Sequence, residues 1–220
     1  MTQLFTTSLL DLSHTLAKPL LEKAQYPWQA FSGIGDFIAE FGKTLGEEYH
    51  HPKETVWIHK TAKVAPTAFL GERVIIGAES EIRHCAYIRG NALVGQGAVV
   101  GNSTELKNVV LFDGVQVPHY NYVGDSILGY KAHMGAGAIT SNVKADHSLV
   151  AVKGENTIPT DLKKFGAILG DYAEIGCNAV LNPGTVIGRK SNVYPLSMVR
   201  GVIPPMSIYK KQNDIVEKNR

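Results

Sequence analysis

Residues 58–106 read IHKTAK VAPTAF LGERVI IGAESE IRHCAY IRGNAL VGQGAV VGNSTE L, with an aliphatic side chain at every sixth position. Ile58, Val64, Leu70, Ile76, Ile82, Ile88, Val94, Val100 and Leu106 form one unbroken series, and the following residue is often glycine, as at Gly71, Gly77, Gly95 and Gly101. Four residues after each aliphatic stands something small or branched: Ala62, Ala68, Val74, Ser80, Ala86, Ala92, Ala98, Thr104. A period of six predicts a parallel β-helix in which a short flat strand turns a corner every six residues. The aliphatic and the small residue point inward, and the small residue admits the turn. Three sides make one coil, and coils stack at strand spacing, about 4.8 Å, so residues one coil apart lie above one another.

Outward from this stretch the phase slips twice by one residue, through Leu111, Val117 and Val123 and then Leu128 and Met134. It resumes at Leu169, Ile175, Leu181, Ile187, Val193 and Val199. The pattern predicts about seven coils, with a polar insertion over 143–164 that lacks the repeat. Loops of that length in a regular solenoid are usually functional or at an interface. The domain reading is a helical segment over 1–52, a β-helix over 53–205 and a tail over 206–220. Leu9, Leu10, Leu12, Leu16, Leu20 and Leu21 fit an amphipathic helix, broken at Tyr26-Pro27-Trp28; Ile34, Phe37, Ile38, Phe41 and Leu45 fit a second. Repeat stacks need their open ends covered, so these helices are expected to cap the first coil.

The bulk properties narrow the function classes. A chain of 220 residues can bury a core without covalent staples. With 22 Lys+Arg against 20 Asp+Glu it lacks the clustered basic charge of a nucleic-acid or membrane-surface binder. Its two cysteines, Cys85 and Cys177, form no CxxC pair, which speaks against a disulfide framework or a structural zinc and fits a reducing cytoplasm. Neither a membrane span nor a signal peptide is legible.

Stacking also places chemistry. Arg89 follows Ile88 and Lys107 follows Leu106, and 89 plus 18 is 107, so two cations are expected in one column. Either they splay into solvent or an anion, a phosphate being the natural candidate, sits between them. One coil on, Pro118-His119-Tyr120-Asn121-Tyr122 puts Asn121 where the repeat carries a small residue, a broken local rule of the kind found at functional sites. His119 is there either a general base or an exposed histidine without a role.

His119-Tyr-Asn-Tyr-Val-Gly-Asp125, followed by Met134-Gly-Ala-Gly-Ala-Ile-Thr-Ser-Asn142, resembles the acetyltransferase domain of the bifunctional glucosamine-1-phosphate acetyltransferase/N-acetylglucosamine-1-phosphate uridylyltransferases. The resemblance covers about 82–202. Lys163-Lys164-Phe-Gly-Ala-Ile-Leu-Gly-Asp171 looks closer to the archaeal bifunctional sugar-phosphate nucleotidyltransferases. It implies a left-handed parallel β-helix, against the usual right-handed crossover, and a homotrimer with active sites between subunits. It implies acetyl-CoA as co-substrate, no metal, and an amino-sugar phosphate or related sugar nucleotide as acceptor. His119 falls on the family's catalytic base and Asn142 on an asparagine beside it. Arg89 and Lys107 fall on two phosphate-contacting cations, and Tyr122 on a sugar-phosphate-binding tyrosine. The CoA arm would lie near Cys177, Pro195 and Ser197, with Lys210 and Lys211 at hand for its phosphates.

The chain departs from that pattern in places. His133 replaces an asparagine before Gly-Ala-Gly, and the lysine expected after the Asn-Tyr segment has no equivalent unless Lys163 or Lys164 supplies it from a neighbouring subunit. The nucleotidyltransferase's Gly-rich loop with Arg and Lys is missing from Met1 to Pro52, so uridylyl transfer is not expected. Two other readings compete. One is a non-catalytic β-helix that binds a sugar nucleotide or scaffolds a partner enzyme. The other is a γ-carbonic-anhydrase-like zinc protein, for which His84 and His119 have nearly the right separation but the third ligand position is Gly124.

Overall fold

The computed structural model describes residues 2–218 and shows a parallel β-solenoid with three faces. On the first face the rungs are Ile58, Ile76, Val94, Leu111, Leu128, Leu169, Ile187 and Ile203, each paired in parallel with the next. The second face runs from Val64 through Val117, Met134 and Ile175 to Tyr209. The third runs from Leu70 through Leu106, Val123 and Thr140 to Val199. The inward positions are those the hexapeptide pattern predicts: Ile76, Ile88, Val100 and Leu106 are fully buried, as are the small partners Ser80, Ala92 and Thr104.

The stack is longer than the predicted seven coils. Ser207–Lys211 adds an eighth rung to the second face, and Asp214–Glu217 folds back on it antiparallel, so this part of the predicted tail closes the last coil. Residues 219 and 220 of that tail lie outside the described residues. At the other end, Tyr49–Lys53 pairs antiparallel with Val56–His59 and covers the first coil's edge. Each terminal edge strand is thus blunted by a hairpin.

The N-terminal helices do not cap that end. Helix Ile34–Gly42 lies across the strands Phe69–Ile76, Tyr87–Val94 and Glu105–Leu111, and the 3₁₀ stretch Pro27–Gly33 lies on Tyr122–Leu128. They cover the first face, whose outward row Trp57, Ile75, Leu93, Val110, Ile127, Ile168 and Val186 is buried. Gly42 lies flat on Trp57, where a Cβ would come within 2.4 Å of the indole. Further up, Trp28 and Phe31 pack on Phe165 with ring centroids 5.6 and 5.1 Å apart.

The first predicted helix is broken into Thr6–Leu9, a turn at Leu12–His14 and Lys18–Leu21. Asp11 and Thr15 accept from the Ser13 and Ala17 amides, local bonds that compete with helix continuation. The solenoid takes other groups: the buried Asp171 carboxylate accepts from Asp11 N–H at 2.8 Å and pairs with Arg189 at 3.0 Å. Burial pushes the Asp171 carboxyl up, against the lowering bonds from Tyr130 and Arg189. The 143–164 insertion is a hairpin, Val150–Lys153 with Thr157–Leu162, seated on the later coils through buried Val150 and Val152.

The repeat's glycines are not turn residues. Gly77, Gly95 and Gly101 have ordinary φ, and a Cβ on Gly95 would stand 2.5 Å from the Phe112 carbonyl carbon of the next coil. Corners are turned by other residues at positive φ, most of them not glycine: Arg73, Asn91, Asn108 and Asp125 at one corner, Cys85, Ser103 and Tyr120 at another, and Glu79, Gly97, Gly114 and Lys131 at the third.

Outward positions on different faces should differ in consequence. Leu93→Ala, on the covered face, is expected to lower unfolding free energy by about 2–5 kcal/mol. Glu81→Ala, outward on the second face, is expected to change it by no more than about 0.5 kcal/mol. Urea unfolding of both variants checks the contrast.

Candidate functional site

The site lies where the coils shorten. On the third face Ile88 pairs with Leu106, but Gly90 then pairs with Lys107, so Arg89 is the extra residue of a bulge. The expected column of two cations is therefore not formed. Each has found a carboxylate: Arg89 donates to Glu105 at 3.0 Å, and Lys107 to Asp125 at 2.9 and 3.2 Å. The bond to Glu105 raises the Arg89 guanidinium further above its usual range.

Asp125 is the centre of this arrangement and is buried. Besides Lys107, its Oδ1 accepts from Asn108 Nδ2 at 3.0 Å and its Oδ2 from Asn142 Nδ2 at 2.6 Å. Asn142 also donates to the Tyr122 hydroxyl at 3.3 Å. Burial, with the charges of Asp125 and Glu105 behind it, pushes the Tyr122 phenol up, so it keeps its proton as a donor. Lys107, Tyr122 and Asn142, singled out from sequence, are thus drawn together by a residue that had no assigned role. Regular stacking does not point to it, because in these seventeen-residue coils the residue above Lys107 is Gly124 and Asp125 is its neighbour at the corner.

His119 is exposed at the corner between the second and third faces, one rung above Asn102. Asn121 explains its placement. Its side chain turns into the core, where Nδ2 donates to the Gly135 and Ala138 carbonyls at 2.8 and 3.0 Å. Its Oδ1 accepts from the His119 backbone N–H at 3.1 Å. The broken rule at Asn121 is an internal lock under His119 and presents nothing to solvent.

The other expected residues lie apart. His133 is outward on the second face with Nδ1 2.8 Å from Glu174. Cys177 and Pro195 continue the His119 corner on later coils and are exposed, as is Lys210 on the last rung. Ser197 instead points inward, its buried hydroxyl without a hydrogen-bond partner among the described residues, so it does not offer itself to a surface ligand. His84 and His119 share one corner but are separated by the Asn102 rung, about 9.6 Å or two strand spacings. Among the described residues no three His, Cys, Asp or Glu are grouped to hold a metal ion. A cleft of about 440 Å³ opens beside Asn142 between the hairpin and the later coils, lined by Ser141, Val143, Lys144, Lys153, Asn182 and Arg200. Among the described residues no helix is long and apolar enough to cross a membrane.

Loss of the Asn121 lock should be felt in the fold. Asn121→Ala takes the side-chain donor from the Ala138 carbonyl, while the Gly135 carbonyl keeps the Ala138 N–H, and is expected to cost about 1–3 kcal/mol in chemical unfolding. His119→Ala, at an exposed corner, is expected to stay within about 0.5 kcal/mol.

No family model matches the chain. It is 35% identical over 136 residues to the bifunctional protein GlmU of a Methanococcus maripaludis strain, covering 61% of this chain and 33% of that protein. Against GlmU of a second Methanococcus maripaludis strain it is 30% identical over 199 residues, 89% of this chain and 48% of the other. The bifunctional sugar-1-phosphate nucleotidylyltransferase/acetyltransferase of Sulfurisphaera tokodaii is 33% identical over 116 residues, 52% of this chain and 29% of that one. Of solved structures, a mutant of AntD, an N-acyltransferase from Bacillus cereus, superposes with TM-score 0.37 at 16% identity, over 80% of this chain and 92% of that one. UDP-N-acetylglucosamine acyltransferase of Francisella novicida gives 0.39 at 15%, over 71% and 65%. The chain, a hexapeptide-repeat β-solenoid, is thus similar to part of the bifunctional GlmU and archaeal sugar-1-phosphate nucleotidylyltransferase/acetyltransferase proteins, spanning about a third to a half of their length.

Proposed function

We propose that this chain is an acetyl-CoA-dependent N-acetyltransferase whose acceptor is an amino-sugar phosphate or a related sugar nucleotide, with His119 as general base. The observation that carries the reading is the convergence of Lys107 and Asn142 on Asp125, with the Tyr122 hydroxyl bonded to Asn142, in the coils adjoining His119. That puts a cation, a phenol donor and an oriented amide along the third face, whose other corner carries the exposed His119. The similarity to proteins named as acetyltransferases agrees with it.

In this reading the His119 ring nitrogen takes a proton from the 2-amino group as the nitrogen attacks the thioester carbonyl. The C–N bond forms, the carbonyl electrons move onto oxygen, and a coil-edge backbone N–H stabilises that oxyanion. Collapse breaks the C–S bond, and the CoA thiolate leaves with the proton held on His119. Arg89 and Lys107 meet the acceptor's phosphate by exchanging part of their pairing to Glu105 and Asp125. The acyl donor lies along the corner of Cys177 and Pro195, with Lys210 beyond. No step calls for a metal.

The third face supports a homotrimer in which neighbouring subunits complete the site. Its outward row carries Phe69, Tyr87 and Met198, 52%, 45% and 58% exposed, with Tyr122, Ile139 and Val180 between them and one charge, Glu105, after Tyr87. A largely apolar row on a solvated face marks an association surface.

Acetyl-CoA with glucosamine-1-phosphate and other amino sugars should release free thiol, and His119→Ala should slow it about 10²- to 10⁴-fold. No release with any amino sugar overturns the reading; release that ignores His119 overturns the assigned base. Sedimentation equilibrium should return three times 23.9 kDa, 71.7 kDa. A mass of one chain at micromolar concentration sinks the trimer.

A further inference from the structure

The hydrogen bonds around Asp125 dictate which way Asn142 faces. A carboxylate accepts only, so the 2.6 Å contact at Asp125 Oδ2 must be made by the Asn142 NH₂. The same nitrogen donates to Tyr122, which leaves Asn142 Oδ1 as the end of the amide available to a ligand. Asp125 is itself held by two further side chains. Lys107 bridges both its oxygens, and Asn108 spends one amide proton on Oδ1 and the other on the Phe31 carbonyl of the N-terminal segment at 3.3 Å. The backbone at Asp125 is at φ 46°, a left-handed conformation that Asp and Asn adopt more readily than most residues.

We infer that Asp125 is a positioning residue: it holds Asn142 with Oδ1 outward as an acceptor, so that the site takes a ligand group that brings its own hydrogen, an amine N–H, and aligns it for attack. This rests on the proposed acetyl transfer for its kinetic consequence but not for its geometry. With the anchoring carboxylate gone, the amide turns freely and the acceptor nitrogen loses alignment, while the acyl-donor corner at Cys177 and Pro195 is untouched.

The test uses the full chain and Asp125→Asn, which keeps the left-handed turn and the side-chain volume and removes the charge. In ¹⁵N-labelled protein one Asn142 side-chain amide proton should lie downfield and exchange slowly, and this signature should vanish in Asp125→Asn. In the thiol-release assay kcat should fall about 10²-fold, the scale of a small misplacement, with the KM for acetyl-CoA unchanged. Asn91→Gly is the structural control. It lies at a left-handed corner two coils before Asp125, φ 49°, outside the hydrogen bonds to that carboxylate, and should leave the Asn142 resonance and kcat within twofold.

An Asn142 signature unaltered in Asp125→Asn, or a folded Asp125→Asn with kcat within twofold of wild type, overturns the inference. Should wild type release no thiol with any acceptor, acetyl transfer fails while the resonance still decides the positioning. Should Asp125→Asn not fold, Asp125→Gly, free of left-handed strain, carries the same two readouts.

Discussion

The distance between coils governs this molecule. Backbones stacked at strand spacing leave no room for a Cβ where one coil's corner passes over the next. A Cβ on Gly101 would fall within 1.5 Å of the Pro118 carbonyl oxygen, and one on Gly176 within 2.4 Å of the Pro195 nitrogen. Glycine is required there by crowding and not by φ. The conformational strain sits elsewhere, on residues with side chains, and each left-handed residue costs roughly 1–2 kcal/mol before its compensating bonds. Where the corner residue is Asn or Asp, the side chain that eases the turn also supplies polar groups to the surface. Asn91, Asn108 and Asp125 are one such column, and the third of them anchors the candidate site.

Coil length decides what that column can do. From Ile76 to Val94 is eighteen residues, but Val94 to Leu111 and Leu111 to Leu128 are seventeen each. The first short coil displaces Arg89 into a bulge and sends Lys107 to Asp125 in place of an overhead partner. A bulge re-aims side chains without leaving the ladder. The polar cluster is therefore a product of the missing residue, and a strictly regular solenoid would have stacked two like charges instead.

Much of this was legible in the sequence. The six-residue period places the inward residues, including the small ones, because a prism interior tolerates little else. It also locates the insertion and brings Lys107, Tyr122 and Asn142 into view. The path of the N-terminal residues was not read, although its signal was present. Val56-Trp-Ile58, Val74-Ile-Ile76, Ala92-Leu-Val94 and Val109-Val-Leu111 are apolar on both sides of the strand, and a strand apolar on both sides is covered on both. Asn121 was misread because an amide in the core looks like a surface anomaly until the Ala138 carbonyl is seen to need a donor. Ser197 shows the opposite error: inward facing at a small-residue position overrides proximity along the chain to the exposed corner at Pro195.

The covered face ties the fold to the site. The N-terminal segment buries a hydrophobic row that would otherwise be exposed, and in doing so it lays the Phe31 carbonyl over Asn108. Asn108 then has both amide protons engaged, one by that carbonyl and one by Asp125, and cannot rotate away without orphaning a buried acceptor. Such an acceptor costs about 1–3 kcal/mol. Hydrophobic packing near Trp28, Phe31 and Phe165 thus restrains a chain of hydrogen bonds that ends at Asn142. The segment's contribution to the surface chemistry is made through a backbone oxygen, and the placement of that oxygen is fixed by aromatic side chains packed on Phe165.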